Sequence, residues 1–456
     1  MKKYRLSRYN YFIVKEQYAI GVNLYNQVLF SIDSEKYETL ILYKDRLEKM
    51  EAEHPILFST MLKLGIIEVS DFDLPSILIM KNRSQVFDIS SFHLFINPTL
   101  NCNFSCWYCY ESRNKATMSK DIIHSVLLLI ENLIQTYKLT TFHLDWFGGE
   151  PLLCFESVIK PISVEVKKIF SKYNVKYFQT ITTNGSLLKA NMIPFFEEHN
   201  FTNFQITLDG DIENHNKVRF IGSNKKKGSF YTIVNNINSL VKSPKLFVSL
   251  RINYIKNSLF TIDQIITFFP ISNRGKIKIH LAQVFQDAKL SSEKEKKELI
   301  KEEHKMLAIF RDAGFHILKS WVRPDCYYTC YADLKNEALI NYDGRVFNCT
   351  NVDFENEKES GILTEKGEII WNENINAKRL SRATFDNEEC LNCYYLPICT
   401  AGCHKNVNKE IFTNKTCLYI PMHEQALNDI FDFYQKQDCK IAHIGQIESM
   451  LSYYNE

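Results

Sequence analysis

The stretch NPTLNCNFSCWYCYE, residues 97–111, places Cys102, Cys106 and Cys109 in the pattern C-x3-C-x2-C directly behind a strand-like run. A structural zinc ion or an ordinary four-iron cluster takes four protein ligands. Three thiolates on one short loop would leave one iron of a cubane cluster without a protein ligand, and that iron could bind a small chelating molecule. A zinc loop completed by a distant ligand is the alternative interpretation.

The chain around this loop alternates strand and helix signals from about residue 90 to 318. Strand-like runs are SFHLFINP, TFHLDWF, KYFQTITT, FQITLD, LFVSLRINY and KIKIHLAQVF, with helical patterns such as SKDIIHSVLLLIENLIQTY between them. Six βα repeats predict an α/β fold with a parallel sheet, a partial TIM-like barrel. Reactive groups of such barrels gather at the carboxyl ends of the strands. NPTLNC, GGEP, TNGS and DG fall at those ends.

The two flanking regions have different patterns. Residues 1–88 contain short strands, two helices and a returning strand, which predict a winged-helix-like domain, and DFDLPSILIMKNRSQ within them predicts a linker. Residues 89–318 form the predicted barrel. Residues 319–456 hold most of the cysteines among turns, which is typical of a fold stabilised by metal, and end in a helical pattern.

The composition is that of an ordinary globular protein. A formal net charge of +2 and a hydrophobic share of 45% give no reason to expect nucleic acid or a membrane surface as a partner. The N-terminus lacks the apolar region of a signal peptide, and no apolar run is long enough to span a bilayer. We therefore expect a cytoplasmic protein. In a reducing compartment, 13 cysteines indicate metal binding or catalysis rather than disulfides.

The three-cysteine loop resembles that of the radical S-adenosylmethionine (SAM) superfamily, in which an aromatic residue precedes the third cysteine. The resemblance implies that Cys102, Cys106 and Cys109 hold a [4Fe-4S] cluster whose open iron chelates SAM. Reductive cleavage of SAM would then give a 5′-deoxyadenosyl radical. Further positions match motifs with which the family contacts SAM: Tyr108, Gly148, Gly149, Glu150, Pro151, Thr183, Asn184, Asp209 and Arg219. Gly185, Gly210 and His215 belong to the same patches.

The C-terminal cysteines resemble the SPASM extension of radical SAM enzymes, which binds two auxiliary [4Fe-4S] clusters. The pattern is C-x13-G-x4-C from residue 330, followed by C-x2-C-x5-C-x3-C from residue 390. The resemblance assigns Cys390, Cys393, Cys399 and Cys417 to the second cluster and Cys330, Cys349 and Cys403 to the first. Cys326 is the candidate fourth ligand of the first cluster, which otherwise keeps an open iron. Two zinc sites are the alternative. Cys154, in PLLCF, is predicted to be a small buried side chain.

Enzymes with a SPASM extension act mostly on peptides or proteins, so the resemblance leaves two enzyme functions open. One is maturation of ribosomally made precursor peptides by thioether or carbon–carbon crosslinks or a related modification. The other is anaerobic sulfatase maturation, the oxidation of serine or cysteine to formylglycine. The winged-helix-like residues 1–88 favour the first, since they could bind a leader peptide as an added strand. Thr350 also favours peptide maturation, because at this position sulfatase maturases have an aspartate that acts as the base.

The expected partners follow from this reading. They are a precursor peptide and a small-protein or chemical electron donor, and no catalytic residue is identified among the side chains. A third class stays open: a non-catalytic binding module in which the cysteines hold zinc and the N-terminal domain grips a partner. SAM cleavage separates that module from either enzyme.

Overall fold

The structure is a computed structural model that describes residues 3–14, 16–26, 28–220, 227–288, 293–317, 330–381, 388–399, 412–413, 416–417 and 442–443. The described residues form two compact units. The N-terminal unit takes its residues from Met1–Gln85, Lys319–Cys330 and Ala383–Glu456, and the barrel unit from Val86–Leu318 and Tyr331–Arg382. Residues 331–382, which the sequence analysis places in a separate C-terminal domain, therefore pack with the barrel.

The first part of the chain contains four short strands, then three helices, a fifth strand and a fourth helix. Its elements are β1 (Tyr4–Leu6), β2 (Asn10–Val14), β3 (Tyr18–Asn23), β4 (Val28–Asp33), α1 (Ser34–Tyr43), α2 (Leu47–Glu53), α3 (Pro55–Lys63), β5 (Ile67–Val69) and α4 (Leu74–Val86). Strands β2, β3 and β4 form an antiparallel meander, and β1 pairs with β5. A core of its own fills this unit, with Phe30, Leu40 and Met50 fully buried.

The predicted linker is wrong, because DFDLPSILIMKNRSQ contains the helix α4. Asp73 precedes the helix and accepts hydrogen bonds from the backbone N–H and the hydroxyl of Ser76. Pro75 lies in the first turn, where proline is compatible with a helix. Leu74 and Leu78 then bury their side chains beside Tyr395 in the N-terminal unit.

The middle of the chain carries the barrel. Its elements are β6 (Ser91–Ile96), α5 (Lys120–Tyr137), β7 (Thr141–Trp146), α6 (Lys160–Tyr173), β8 (Lys176–Thr183), α7 (Ile193–Glu198), β9 (Phe201–Asp209), α8 (Ile212–Val218), α9 (Phe230–Leu240), β10 (Phe247–Tyr254), α10 (Ile271–Arg274), β11 (Ile277–Gln283), α11 (Phe285–Ala288), α12 (Glu293–Asp312) and β12 (His316–Ile317). Short 3-10 and π turns open at Pro151, Phe155, Ala190 and Lys256.

Strands β6 to β12 are hydrogen-bonded in sequence order, and every pair is parallel. This confirms the predicted α/β class with a parallel barrel-like sheet. Alternate residues, such as Phe92, Leu94 and Ile96 of β6, are buried against the helices. The residues between them, such as His93 and Phe95, point to the inner face of the sheet and are half-buried.

The last part of the chain extends this sheet and then returns to the N-terminal unit. Its elements are β13 (Glu337–Ile340), β14 (Arg345–Phe347), β15 (Gly361–Leu363), β16 (Ile369–Trp371), α13 (Glu373–Ser381), α14 (Glu388–Leu391), β17 (Phe412–Thr413), β18 (Thr416–Cys417) and β19 (Ala442–His443). Strand β13 pairs with β6 in parallel, and β14 to β16 continue antiparallel. Strand β19 pairs with β4. None of the described helices combines the length and the apolar character needed to cross a membrane.

Candidate active site

The three cysteines lie on the loop that leaves the carboxyl end of β6. Phe104 is buried and fixes the loop to the barrel core, which Cys102 and Cys106 also contact. The backbone N–H of Phe104 donates to Cys102 Sγ at 3.4 Å, and the N–H of Cys109 closes a turn onto the carbonyl of Cys106 at 3.2 Å. Cys102 and Cys106 are half-buried, whereas Cys109 is exposed. The loop therefore presents its thiols at the edge of the sheet where the strands end.

The environment of these thiols favours their neutral form in the absence of a cation. Burial raises the pKa of Cys102 to about 12 and also raises the pKa of Cys106 and of Cys109. Thiolates at such positions are stabilised by a bound metal, which releases the proton. Within the described part of the chain, no three His, Cys, Asp or Glu side chains converge as ligands of a single ion. A cubane cluster needs no such convergence, since each thiolate ligates a different iron. The donor set fits a cluster held by three cysteines.

The glycines of FGGEP hold the cysteine loop in place. A side chain on Gly149 would put its Cβ 2.4 Å from the carbonyl oxygen of Asn101, and one on Gly148 would lie 2.5 Å from that of Thr99. The N–H of Gly149 donates to the Thr99 carbonyl at 3.1 Å, and that of Glu150 to the Asn101 carbonyl at 2.8 Å. The close approach of the two loops therefore requires glycine at both positions.

Glu150 joins the ends of three strands. Its carboxylate is fully buried and accepts from the hydroxyl of Thr183 at 2.7 Å, the backbone N–H of Asn184 at 2.7 Å and that of Leu152 at 3.0 Å. Burial raises the pKa of Glu150, although these three donors oppose that effect. Pro151 opens the 3-10 turn that Glu150 caps. Glu150 therefore fixes the carboxyl end of β8 beside that of β7.

Asn184 connects this junction to the cysteines. Its side-chain amide donates to Asn103 Oδ1 at 2.7 Å and lies 3.9 Å from Cys102 Sγ. Amide donors beside cluster sulfurs are among the features that set cluster potentials. Thr183, Asn184 and Glu150, which the sequence analysis singled out separately, thus form one hydrogen-bonded group around the loop.

Tyr108 is the centre of a second group. Its hydroxyl donates to Asp209 Oδ1 at 2.5 Å and accepts from Arg219 Nη2 at 2.8 Å. Arg219 Nε also donates to Asp209, and both side chains are buried. Burial strongly raises the pKa of Tyr108. Strands β6 and β9 are three places apart in the sheet, so this contact shows that the sheet curves around the cysteine loop.

Two residues of this group were not predicted from the sequence. Asn253 of β10 donates to the Tyr108 hydroxyl at 3.0 Å, and Arg251 Nε donates to Asn253 Oδ1 at 2.9 Å. His215 accepts from the backbone N–H of Asp209 at 3.2 Å and contacts Ser229. The position of Asn253 at the carboxyl end of a strand was the signal that could have identified it.

Thr350 lies beside the cysteine loop, within the barrel unit. Its carbonyl accepts from the Tyr110 hydroxyl at 2.8 Å, and its hydroxyl is 2.7 Å from that of Tyr331. The adjacent Cys349 is buried, and its sulfur accepts from the Asn351 N–H at 3.3 Å. Cys154 is buried as predicted.

The other C-terminal cysteines are described only in part. Cys390, Cys393 and Cys399 lie half-buried in one stretch of the N-terminal unit, and Cys330 is half-buried at the end of another. Cys417 is described as a residue of β18, whereas Cys326 and Cys403 lie outside the described residues.

Known proteins resemble this chain in sequence and fold. Residues 96–258 match the family described as the radical SAM superfamily. The cysteine-type anaerobic sulfatase-maturating enzyme of Clostridium novyi (strain NT) is 26% identical over 388 residues, which cover 78% of this chain and 98% of that protein. Native anSMEcpe, solved with bound AdoMet and the Cp18Cys peptide, superposes with a TM-score of 0.57 at 17% identity over 76% of this chain and 97% of its own, which shows the fold alone.

A second solved structure, Streptococcus suis SuiB bound to the precursor peptide SuiA, covers 89% of this chain and 97% of its own at 16% identity. Its TM-score of 0.49 is too low to support an inference. The family match over residues 96–258 and the three-cysteine loop at the carboxyl edge of a parallel sheet agree with each other, and this chain contains a radical SAM domain.

Proposed function

We propose that this chain is a radical SAM peptide maturase that modifies a precursor peptide by forming a thioether or carbon–carbon crosslink or a related bond. The observation that carries the enzyme reading is the three-cysteine loop held against the FGGEP turn and the Tyr108 group at one edge of the sheet. Cys102, Cys106 and Cys109 are the ligands of the proposed SAM-binding cluster. That cluster with SAM would supply a 5′-deoxyadenosyl radical for hydrogen abstraction.

The side chains around the loop have positioning roles in this proposal. Glu150 and the two glycines keep the loop at the strand ends, and Asn184 donates toward Cys102 Sγ. Tyr108, Asp209 and Arg219 form a rigid hydrogen-bonded wall beside the thiols, where a zwitterionic ligand such as SAM meets both charges. Fixed orientation of the reacting groups is the main contribution that a protein makes to cofactor chemistry.

The two auxiliary [4Fe-4S] clusters are also part of the proposal. Cys390, Cys393, Cys399 and Cys417 would hold one, and Cys330, Cys349 and Cys403, with Cys326, the other. Cys390 and Cys393 flank one turn, since the N–H of Cys393 donates to the Cys390 carbonyl at 3.0 Å. Such clusters would accept the electron left when a substrate radical closes a bond, and a small protein or chemical reductant would supply the first electron.

The N-terminal unit supports a peptide substrate. Its sheet has the order β19-β4-β3-β2, so among the described strands β2 is an edge and the outer side of β4 is covered. Val14, at the end of β2, is exposed. A leader peptide could add as a strand to β2, because an edge strand offers unpaired backbone donors and acceptors.

Anaerobic sulfatase maturation is the second candidate, and the Clostridium novyi relative favours it. Thr350 opposes it, because its hydroxyl contacts Tyr331 and offers no carboxylate. Two aspartates nearby in the chain, Asp353 and Asp343, are engaged elsewhere. Asp353 accepts from the Ser112 hydroxyl at 2.8 Å and from Asn356 at 2.8 Å, and Asp343 pairs with Arg345 at 2.7 Å. The remaining alternative is a non-catalytic binding module that holds zinc.

The test begins with metal content and SAM cleavage. The chain is purified without oxygen and reconstituted, and iron, sulfide and zinc are counted per chain. Three four-iron clusters predict about 12 irons with matching sulfide. About 4 irons with zinc would remove the auxiliary clusters. Zinc alone, with no 5′-deoxyadenosine formed from SAM and dithionite, would leave only the binding module.

The substrate is then assigned by mass spectrometry. The enzyme, SAM and dithionite are incubated with a short precursor peptide encoded beside its gene and, separately, with a sulfatase peptide containing cysteine. A crosslink removes the mass of one hydrogen molecule and leaves no aldehyde. Aldehyde formation on the cysteine peptide, with the precursor unchanged, would replace the first proposal by the second.

A further inference from the structure

Arg251 is a cation on the inner face of the barrel sheet. The residues that alternate with it on β10, Leu250 and Ile252, are buried against the helices, so Arg251 points to the opposite face. Thr207 and His280 are its register partners on β9 and β11. The Arg251 side chain is half-buried. It therefore lies among inner-face residues, in a place that a substrate within the barrel would reach.

A hydrogen bond fixes Nε of the Arg251 guanidinium, and its two terminal nitrogens are open to a ligand. Nε donates to Asn253 Oδ1 at 2.9 Å, and Asn253 in turn donates to the Tyr108 hydroxyl at 3.0 Å. Among the described residues, no acceptor lies within hydrogen-bond distance of the two terminal nitrogens of Arg251. The guanidinium is thus anchored next to the cysteine loop, with its two-pronged end available to a ligand.

The surroundings add positive charge. Burial, together with the nearby Arg219, lowers the pKa of Arg251, and Lys278 lies on the adjacent strand. Burial, with Arg251 and Lys278, lowers the pKa of His280 to about 4, so this ring is neutral at neutral pH. Asp209, a carboxylate that acts on Arg251, already pairs with Arg219.

The inner face also contains a carboxylate on its other side. Asp145 of β7 is paired with the ring of His93 on β6. Two fixed donors of a guanidinium match the two oxygens of a carboxylate better than an ammonium does. The open fork of Arg251 therefore favours an anionic, planar ligand.

We infer that Arg251 forms a carboxylate-binding site inside the barrel, which takes an acidic side chain of the peptide substrate next to the modified residue. The inference rests on the proposed function, because it requires a peptide in the barrel. The α-carboxylate of SAM is the other source of the same chemistry. The experiment therefore measures both ligands.

The probes are two blocked pentapeptides, acetyl-Ala-Gly-Glu-Gly-Ala-amide and its glutamine counterpart, which differ in one carboxylate. Their binding to the reconstituted enzyme with SAM is followed by ligand-observed NMR. We expect the glutamate peptide to bind about tenfold more tightly than the glutamine peptide. Arg251→Gln abolishes this preference, and Arg251→Lys retains only part of it. Lys278→Gln, a cation on the same face, keeps most of it. The affinity of Arg251→Gln for SAM stays within about twofold of the unaltered enzyme.

Three outcomes overturn the inference. Equal binding of the two peptides to the unaltered enzyme leaves Arg251 as a support for Asn253 and Tyr108. A preference that persists in Arg251→Gln places the site elsewhere. A tenfold loss of SAM affinity in Arg251→Gln, without a peptide preference, assigns the site to SAM. Failure of the proposed function is distinct, because the unaltered enzyme would then not cleave SAM whichever peptide binds. Thermal unfolding of both arginine variants confirms that they are folded.

Discussion

The cysteine loop of the barrel and the segment at residues 388–399 each present three cysteines, but different hydrogen bonds hold them. The barrel loop is held by distant residues: Gly149 and Glu150 donate to its backbone, and Asn184 reaches Cys102 and Asn103. In residues 388–399 the backbone hydrogen bonds close short turns, as from Cys393 to Cys390 and from Leu396 to Cys393. The Arg8 side chain also donates to the Leu391 carbonyl at 2.7 Å, and Tyr395 and Leu396 are buried in the core of the N-terminal unit. The backbone of the barrel loop is therefore bonded to other loops, whereas the backbone of the segment bonds mainly within itself, and we expect the segment to depend more on a bound metal for its shape.

The largest effect is expected for Cys102→Ser. SAM cleavage should fall to the level of the reaction without enzyme, because the proposed cluster would lose one of its three ligands on the loop. The free energy of unfolding of the metal-free chain should change by no more than about 1 kcal/mol, since the loop keeps its hydrogen bonds. Assays of 5′-deoxyadenosine and urea denaturation measure the two quantities. A loss of stability comparable to that of the next variant would remove the contrast between the two regions.

Cys393→Ser should lower iron content and stability but leave SAM cleavage intact. About 4 irons should be lost, and the free energy of unfolding should fall by at least about 2 kcal/mol, since metal–ligand free energy is folding free energy. SAM cleavage without peptide should persist. Iron analysis and thermal unfolding before and after chelation provide the measurement. Unchanged iron content would show that Cys393 is not a ligand.

Gly149→Ala tests the preformed barrel loop. The new Cβ would lie 2.4 Å from the Asn101 carbonyl oxygen, so we expect a loss of about 1–3 kcal/mol in unfolding free energy and a weaker cluster. Gly275→Ala is the matched control, since nothing lies within 4 Å of its Cβ and its φ is −63°. Urea denaturation compares them. Equal stability of the two variants would mean that the loop adapts to the side chain.

Tyr108→Phe should lower the free energy of unfolding by a small amount. Removing the hydroxyl leaves Arg219 Nη2 and Asn253 Nδ2 without this acceptor, at a cost of about 1–2 kcal/mol in unfolding free energy. Tyr231→Phe is the control, because Tyr231 is 58% exposed. A cost as small as that of the control would show that the Tyr108 group is not part of the preformed site.

The sequence predicted the parts of the site that are local in the chain. The cysteine spacing, FGGEP and the strand periodicity are each visible within a dozen residues, and the predicted sheet is confirmed. The α4 helix was missed, although Asp73 and Pro75 are ordinary helix-start signals, because its buried leucines pack on residues more than 300 positions later, such as Tyr395.

The contacts within the site could not be predicted in the same way. The glycines of FGGEP match a motif that contacts SAM, but in the structure their missing side chains leave room for the Thr99 and Asn101 carbonyls. The hydrogen bond from Asn253 to Tyr108 joins residues 145 positions apart. Contacts between such distant residues depend on how the sheet curves. The hydrophobic periodicity within each strand does not determine that curvature.

The pairing of β19 with β4 has a consequence for synthesis on the ribosome. Ala442 and His443 lie opposite Phe30 and Ser31, so one edge of the N-terminal sheet is completed roughly 400 residues after its first strands emerge. At about 5–20 residues per second, that edge stays uncovered for roughly 20–80 s of translation. An uncovered strand edge can pair with other chains. A chaperone that binds the nascent chain during this interval would protect that edge.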